Sequence, residues 1–223
     1  MRRYWAPLSI VLAVALLGAP LKAQTAASSA AAPARKTSTP YSGDLSIFES
    51  SGRDQRLHIE RIMQALAITP GKSVADIGAG SGWFSVRAAR QVGSSGQVYA
   101  VDINREAVAY IEKRSQKEKL SNIKAILSQP GDPMLPPSSV DAVLLLKTYH
   151  EISDPVALLR KLVPALRPGA LVGIIDRDGN GEDHGINKDV VIHEAGEAGL
   201  SLASEYDFVK DDGMDYFLVL KQK

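Results

Sequence analysis

The chain of 223 residues contains no cysteine, which excludes disulfides, thiolate metal ligands and cysteine redox chemistry and leaves stability to the core alone. It has no excess of either charge. Lysine and arginine number 26 against 25 acids, so nothing electrostatic calls for a nucleic-acid partner. Long apolar runs are missing too: Leu8 to Ala19 lies between Pro7 and Pro20 and is much shorter than the roughly 20 residues a spanning helix wants. There is no internal repeat. What remains is ordinary for a folded domain, with 45% hydrophobic and 23% charged residues and a length suited to one α/β domain.

The first residues bear on location. Met1-Arg-Arg precedes the short apolar run, and Leu21-Lys22-Ala23 follows it as a small-residue cleavage site, the layout of a signal peptide cut after Ala23. The expectation is a signal peptide over 1–23, with no membrane association beyond an uncleaved signal anchor, and a mature protein that is exported, periplasmic or secreted. Removing Arg2, Arg3 and Lys22 leaves fewer basic than acidic side chains, so no basic membrane-binding surface is expected. Residues 24–40, QTAASSAAAPARKTSTP, carry no apolar periodicity and read as a flexible leader. The domain is expected over 41–223.

Beyond Tyr41, helix-like and strand-like segments alternate. Ile59, Ile62, Met63 and Leu66 are spaced for one helix face, stopped by Pro70-Gly71. Strands are predicted at Lys72 to Asp76, Gln97 to Ile103, Ile123 to Leu127, Val140 to Leu146 and Ala170 to Asp176, the fourth apolar enough to be buried on both faces. Helices are predicted at Trp83 to Val92, from a cap at Asn104 to about Glu118, from Asp154-Pro155 to the stop at Arg167-Pro168-Gly169, and from Lys188 to Gly199. Two last strands, Ser204 to Val209 and Asp215 to Lys221, flank a hairpin signal centred on Asp212-Gly213. The sum is an α/β, doubly wound Rossmann-like sheet, mostly parallel with an antiparallel last strand.

Ligands of such sheets bind beyond the carboxyl ends of the strands. There the sequence places VADIGAGSGWF, with Gly78, Gly80 and Gly82 after the first strand, and Asp102 closing the second strand 22 residues after Gly80. An acid at that point hydrogen-bonds the ribose hydroxyls of an adenosine ligand. A dinucleotide turn reads G-x-G-x-x-G, whereas here the pattern is acid-x-G-x-G-x-G. Asp76 would repel phosphates and attract a cation, which favours a ligand carrying ammonium and sulfonium groups and disfavours a nicotinamide oxidoreductase.

Asp76-Ile-Gly-Ala-Gly-Ser-Gly82 resembles the first motif of class I S-adenosylmethionine-dependent methyltransferases, and Ala100-Val-Asp-Ile-Asn104 resembles their second. Gly131-Asp-Pro-Met-Leu-Pro136 is similar to the third, Val140 to Glu151 to the fourth, and Leu166 to Val172 to the turn into strand five. The likeness runs over roughly Ile59 to Lys221. It implies the family's fold, S-adenosyl-L-methionine as cofactor, and methyl transfer by in-line displacement. It also implies that Asp76, Gly78, Gly80 and Gly82 line the methionine part of the cofactor, that Asp102 holds the ribose, that Ile103 packs on the adenine and that Asp132 meets the adenine amino group. For Ile103 an ordinary strand-end core position, and for Asp132 a turn cap before Pro133, are the alternatives.

On the acceptor side, His150 and Glu151 follow the fourth strand at its site-facing end and are placed to orient or deprotonate an acceptor. Lys147, at the same rim, would anchor an anionic acceptor or be merely solvated. Loop 176–185 gathers five charged side chains and His184 around three glycines, as a substrate loop would. Asp176, Asp183 and His184 offer an oxygen-and-nitrogen ligand set, but no repeated ligand spacing is present, so no metal is expected. Without cysteine, a basic groove or an Asn-Pro-Pro-Tyr motif, a small-molecule acceptor remains by elimination. Because the cofactor is made in the cytoplasm, an exported protein also admits an alternative, a non-catalytic adenosine-ligand-binding protein on a methyltransferase fold.

Overall fold

In the computed structural model, residues 1–2, 35–209 and 215–223 are described. The expected signal peptide, the leader up to Ala34 and the hairpin turn at Asp212-Gly213 lie outside the described residues. Among the described residues no helix is long and apolar enough to cross a membrane.

One seven-stranded sheet organises the domain. Its strands are β1 (Ser73–Ile77), β2 (Gln97–Asp102), β3 (Ile123–Leu127), β4 (Val140–Leu146), β5 (Leu166–Arg177), β6 (Leu200–Tyr206) and β7 (Asp215–Gln222). They lie in the order β3-β2-β1-β4-β5-β7-β6. Pairing is parallel from β3 to β5, while β7 runs antiparallel to both β5 and β6. The helices are α1 (Arg53–Leu57), α2 (Ile59–Ala65), α3 (Trp83–Val92), α4 (Arg105–Lys117), α5 (Pro155–Leu162) and α6 (Lys188–Glu197).

Apolar residues on β4 divide between the two faces of the sheet, as alternate strand side chains must. Val143 and Leu145 join the core under α5 and α6, while Ala142 and Leu144 join the core under α2 and α3. All four are fully buried. The expected helix caps form: Asn104 accepts the Glu106 N–H at 2.8 Å, and Asp154, ahead of Pro155, accepts the Ala157 N–H at 3.0 Å.

Three boundaries differ from expectation. Arg167-Pro168-Gly169 is not a turn ahead of β5 but lies inside it: Val140 pairs with Leu166 and the register shifts before Ala142 pairs with Leu171. The proline and glycine are accommodated at an irregularity in the ladder, where a missing N–H does no harm. Gly199, at φ +89, ends α6, and β6 begins at once at Leu200, earlier than its alternating pattern suggested. Residues 35–40, assigned by composition to the leader, are seated on the domain. Arg35 pairs with Glu194 at 2.9 Å and donates to the Tyr149 carbonyl, and buried Ser38 donates to the Gly181 carbonyl. The end of the leader is held by specific polar contacts, which apolar periodicity does not register.

Candidate active site

A cavity of about 810 Å³ opens at the carboxyl ends of β1, β2 and β4, a volume in the range of small-molecule sites. The loop after β1 forms its floor. Gly78, Gly80 and Gly82 adopt φ of +72, +54 and +71, a region that L side chains avoid. At Gly78 the constraint is double, because a Cβ there would also collide with the Thr148 side chain.

Asp76, next to last in β1, is 2% exposed. The Ser85 hydroxyl donates to it at 2.6 Å, yet burial dominates and pushes its pKa up to about 6. Asp102 ends β2. One carboxylate oxygen accepts the Gly80 N–H and the other the Asn104 N–H, both at 2.8 Å. Burial raises its pKa against these bonds. Ile103, half exposed, presents an apolar surface to the cavity; it is not a closed core residue.

Asp132 is not part of this wall. The cavity is bordered after β3 by Ser128 to Gly131, whereas the Asp132 carboxylate accepts the Met134 N–H at 2.8 Å. It caps the turn around Pro133, the alternative role that its place before a proline suggests.

The acceptor side is built after β4 and β5. His150 is buried, and its Nδ1 lies 2.8 Å from Asp176 at the end of β5. A carboxylate only accepts, so Nδ1 carries a proton, and Nε2 is the ring nitrogen left for other partners. Nε2 is 3.9 Å from Glu151 Oε1. Burial pushes the Glu151 pKa up to about 7. His184 meets the His150 ring edge to face at 5.8 Å and shares the cavity wall. Asp176, Asp183 and His184, the ligand set that the loop offers in sequence, do not come together: Asp176 faces His150, and Asp183 accepts the Asn180 N–H across its own loop. Lys147 also lines the cavity, but its ammonium is ion-paired with buried Asp215 on β7, a wall contact instead of a free anchor for an anion.

Several wall residues carried no signal in the sequence. Thr37, Tyr41, Leu45 and Phe48 border the cavity from the N-terminal side. Glu49 accepts the Ser81 hydroxyl at 2.5 Å and pairs with Arg114, fastening this segment to the glycine loop and α4. Arg53 lies over the Trp83 ring at 4.3 Å and donates to the Phe48 carbonyl. Trp83 itself is buried at the start of α3 and borders the cavity.

The strand order and a loop-built cavity at the strands' carboxyl ends define an α/β protein of Rossmann type. A family model described as a methyltransferase domain matches residues 68–195, more than half of the chain, and the chain belongs to that family. An S-adenosylmethionine-dependent methyltransferase from Aquifex aeolicus superposes with a TM-score of 0.71 at 24% identity, over 80% of this chain and 98% of that one, which establishes the fold. Similar curated proteins are a demethylmenaquinone methyltransferase of Geobacillus, 24% identical over 51% of this chain and 48% of its own length, and a protein-L-isoaspartate O-methyltransferase of Pyrococcus horikoshii, 30% identical over 50% and 48%. The chain spans about half the length of these relatives.

Proposed function

We propose that the protein is an S-adenosylmethionine-dependent methyltransferase acting on a small-molecule acceptor. The observation that carries this reading is Asp102, held by the Gly80 N–H of the glycine loop at the edge of the cavity. The residues present fit the donor. Each oxygen of Asp102 has spare lone-pair capacity for a ribose hydroxyl, half-exposed Ile103 offers an apolar face to the adenine, and buried Asp76 offers negative charge to a cationic methionine portion. When bound, the donor supplies a methyl group activated by a positively charged sulfur.

The chain's own task is then alignment and exclusion of water. The glycine loop lets the main chain approach closely, and the segment from Thr37 to Phe48 roofs the cavity. His150, its ring oriented by Asp176, presents Nε2 at the acceptor side of the cavity. Glu151 adds a carboxyl titrating near neutrality. The curated relatives carry quinone and protein methyltransferase names, and a cavity of about 810 Å³ favours a small acceptor here.

Calorimetry of S-adenosylmethionine and S-adenosylhomocysteine against the wild type and Asp102→Ala tests the donor site. The variant should weaken binding by about 1–3 kcal/mol, the cost of removing a buried hydrogen-bonding acid. Absence of binding by folded wild-type protein would sink the reading. On the acceptor side, His150→Ala should lose transfer of labelled methyl to extract components while keeping donor affinity.

We also propose that the chain is exported, on the strength of the signal-like residues 1–23. Fusing residues 1–30 to a reporter active only outside the cytoplasm should give signal, and a silent fusion with a working cytoplasmic control would refute export.

A further inference from the structure

We propose that His150, Glu151 and His184 form a site for a first-row transition-metal ion such as zinc, open on its cavity side to a hydroxyl or thiol of the acceptor. One ligand atom from each residue lies within 4.8 Å of the other two. Metal–nitrogen and metal–oxygen bonds are about 2.0–2.2 Å, so atoms sharing an ion stand somewhat closer than this. His184, the exposed member of the three, can close the gap by side-chain rotation.

Four features make this more than a cluster of titratable groups. The first is that His150 is buried and backed by Asp176, which holds its Nδ1 at 2.8 Å and its main-chain N–H at 3.0 Å. A carboxylate behind an imidazole fixes the tautomer and ring orientation that a metal needs. Second, His184 is held by its backbone: its N–H donates to buried Ser38 at 2.9 Å, and it adopts φ +57, a conformation a non-glycine residue keeps only where the surroundings impose it. Gly181 donates to the Gly185 carbonyl at 2.7 Å, closing the loop on either side of it. Third, the nearby Lys147 ammonium is tied to Asp215 and does not neutralise Glu151. Fourth, all three residues line the same cavity as the glycine loop and Asp102, so an ion here would face the acceptor.

The donor set selects the ion. Two imidazoles and one carboxylate suit zinc, cobalt, nickel or iron, whereas magnesium and calcium prefer all-oxygen shells. Three protein ligands leave a position free, as in catalytic and not structural zinc sites. An ion in that place lowers the pKa of a bound hydroxyl or thiol. The acceptor's proton goes to water and the ion keeps its oxidation state, so no further reactant is needed. The acceptor class is thereby narrowed to oxygen or sulfur nucleophiles. That assignment rests on the methyl-transfer reading; the ion site does not.

The test uses the full-length chain, purified without a polyhistidine tag and stripped with a chelator. Cobalt(II) is titrated while visible absorption is followed, zinc is then added as competitor, and S-adenosylhomocysteine binding is measured on the same samples. The proposal expects one cobalt per chain with visible bands that zinc abolishes, loss of those bands in His184→Ala with S-adenosylhomocysteine affinity intact, and about 10- to 100-fold weaker metal binding in Asp176→Asn. Protein that binds S-adenosylhomocysteine but takes up no cobalt, or takes it up equally well as His184→Ala, overturns the metal site and leaves the methyltransferase reading in place. Cobalt bands lost in His184→Ala, in protein that binds no S-adenosylhomocysteine, support the ion site and overturn the methyltransferase reading.

Discussion

Asp76 spends stability on function. Its carboxyl titrates at 3.8 when unperturbed and at about 6 in the fold, because burial disfavours the charged form. The folded state therefore holds its proton more tightly than the unfolded chain, so the contribution is fully present below pH 4 and is lost as pH rises through 6. The difference is on the order of 3 kcal/mol. Asp76→Asn should accordingly leave stability nearly unchanged at pH 4 and raise it at pH 8, as urea unfolding at the two pH values would reveal; equal destabilisation at both would contradict the account. The same variant should bind S-adenosylmethionine more weakly, since it gives a cationic ligand nothing to pair with. A cation beside Asp76 also favours the ionised carboxylate, so binding near pH 5.5 should release protons, measurable by calorimetry in buffers of different ionisation enthalpy.

Among the elements, β4 connects core to site. Leu144 lies at its centre, fully buried, and Leu144→Ala should cost about 2–5 kcal/mol, checked by chemical denaturation. This strand was legible because a run such as VDAVLLL has few other uses, and the caps at Asn104 and Asp154 were legible because their physics is local. The glycine loop and Asp102 could be read for a similar reason: each motif is contiguous and sits at a strand end. Other features depend on distant partners. Asp176 and His150 are 26 residues apart and meet only because β4 and β5 pair in parallel, so a sequence reading grouped Asp176 with its neighbour His184 instead. Asp132 has a nearer partner than its motif position suggests, the Met134 N–H two residues along its own turn. Lys147 likewise answers to Asp215, brought near by β7.

For the molecule as a whole, the N-terminal segment matters more than its composition suggests. Arg35 and Ser38 fasten it to Glu194, Tyr149, Gly181 and His184. A chain beginning at Tyr41 loses those bonds, each worth roughly 1 kcal/mol. In that chain the His184 amide should exchange with deuterium faster than in the full chain, and S-adenosylhomocysteine should dissociate sooner. Unchanged protection of loop 177–187 would show that the segment holds nothing in place.

The same fastening sets an order of assembly. The roof of the cavity is made early in synthesis, but the carbonyl, amide and carboxylate that receive it belong to the last third of the chain, with Arg35 and Glu194 separated by 159 positions. Until residue 194 has emerged from the ribosome, or from any channel the chain is threaded through, the floor can form while the roof is held by Glu49 on Ser81 and Arg114 but lacks its Arg35 seat. The fully fastened roof is thus a property of the chain from residue 35 through residue 194, and a nascent or half-delivered molecule would carry it without the Arg35 and Ser38 bonds.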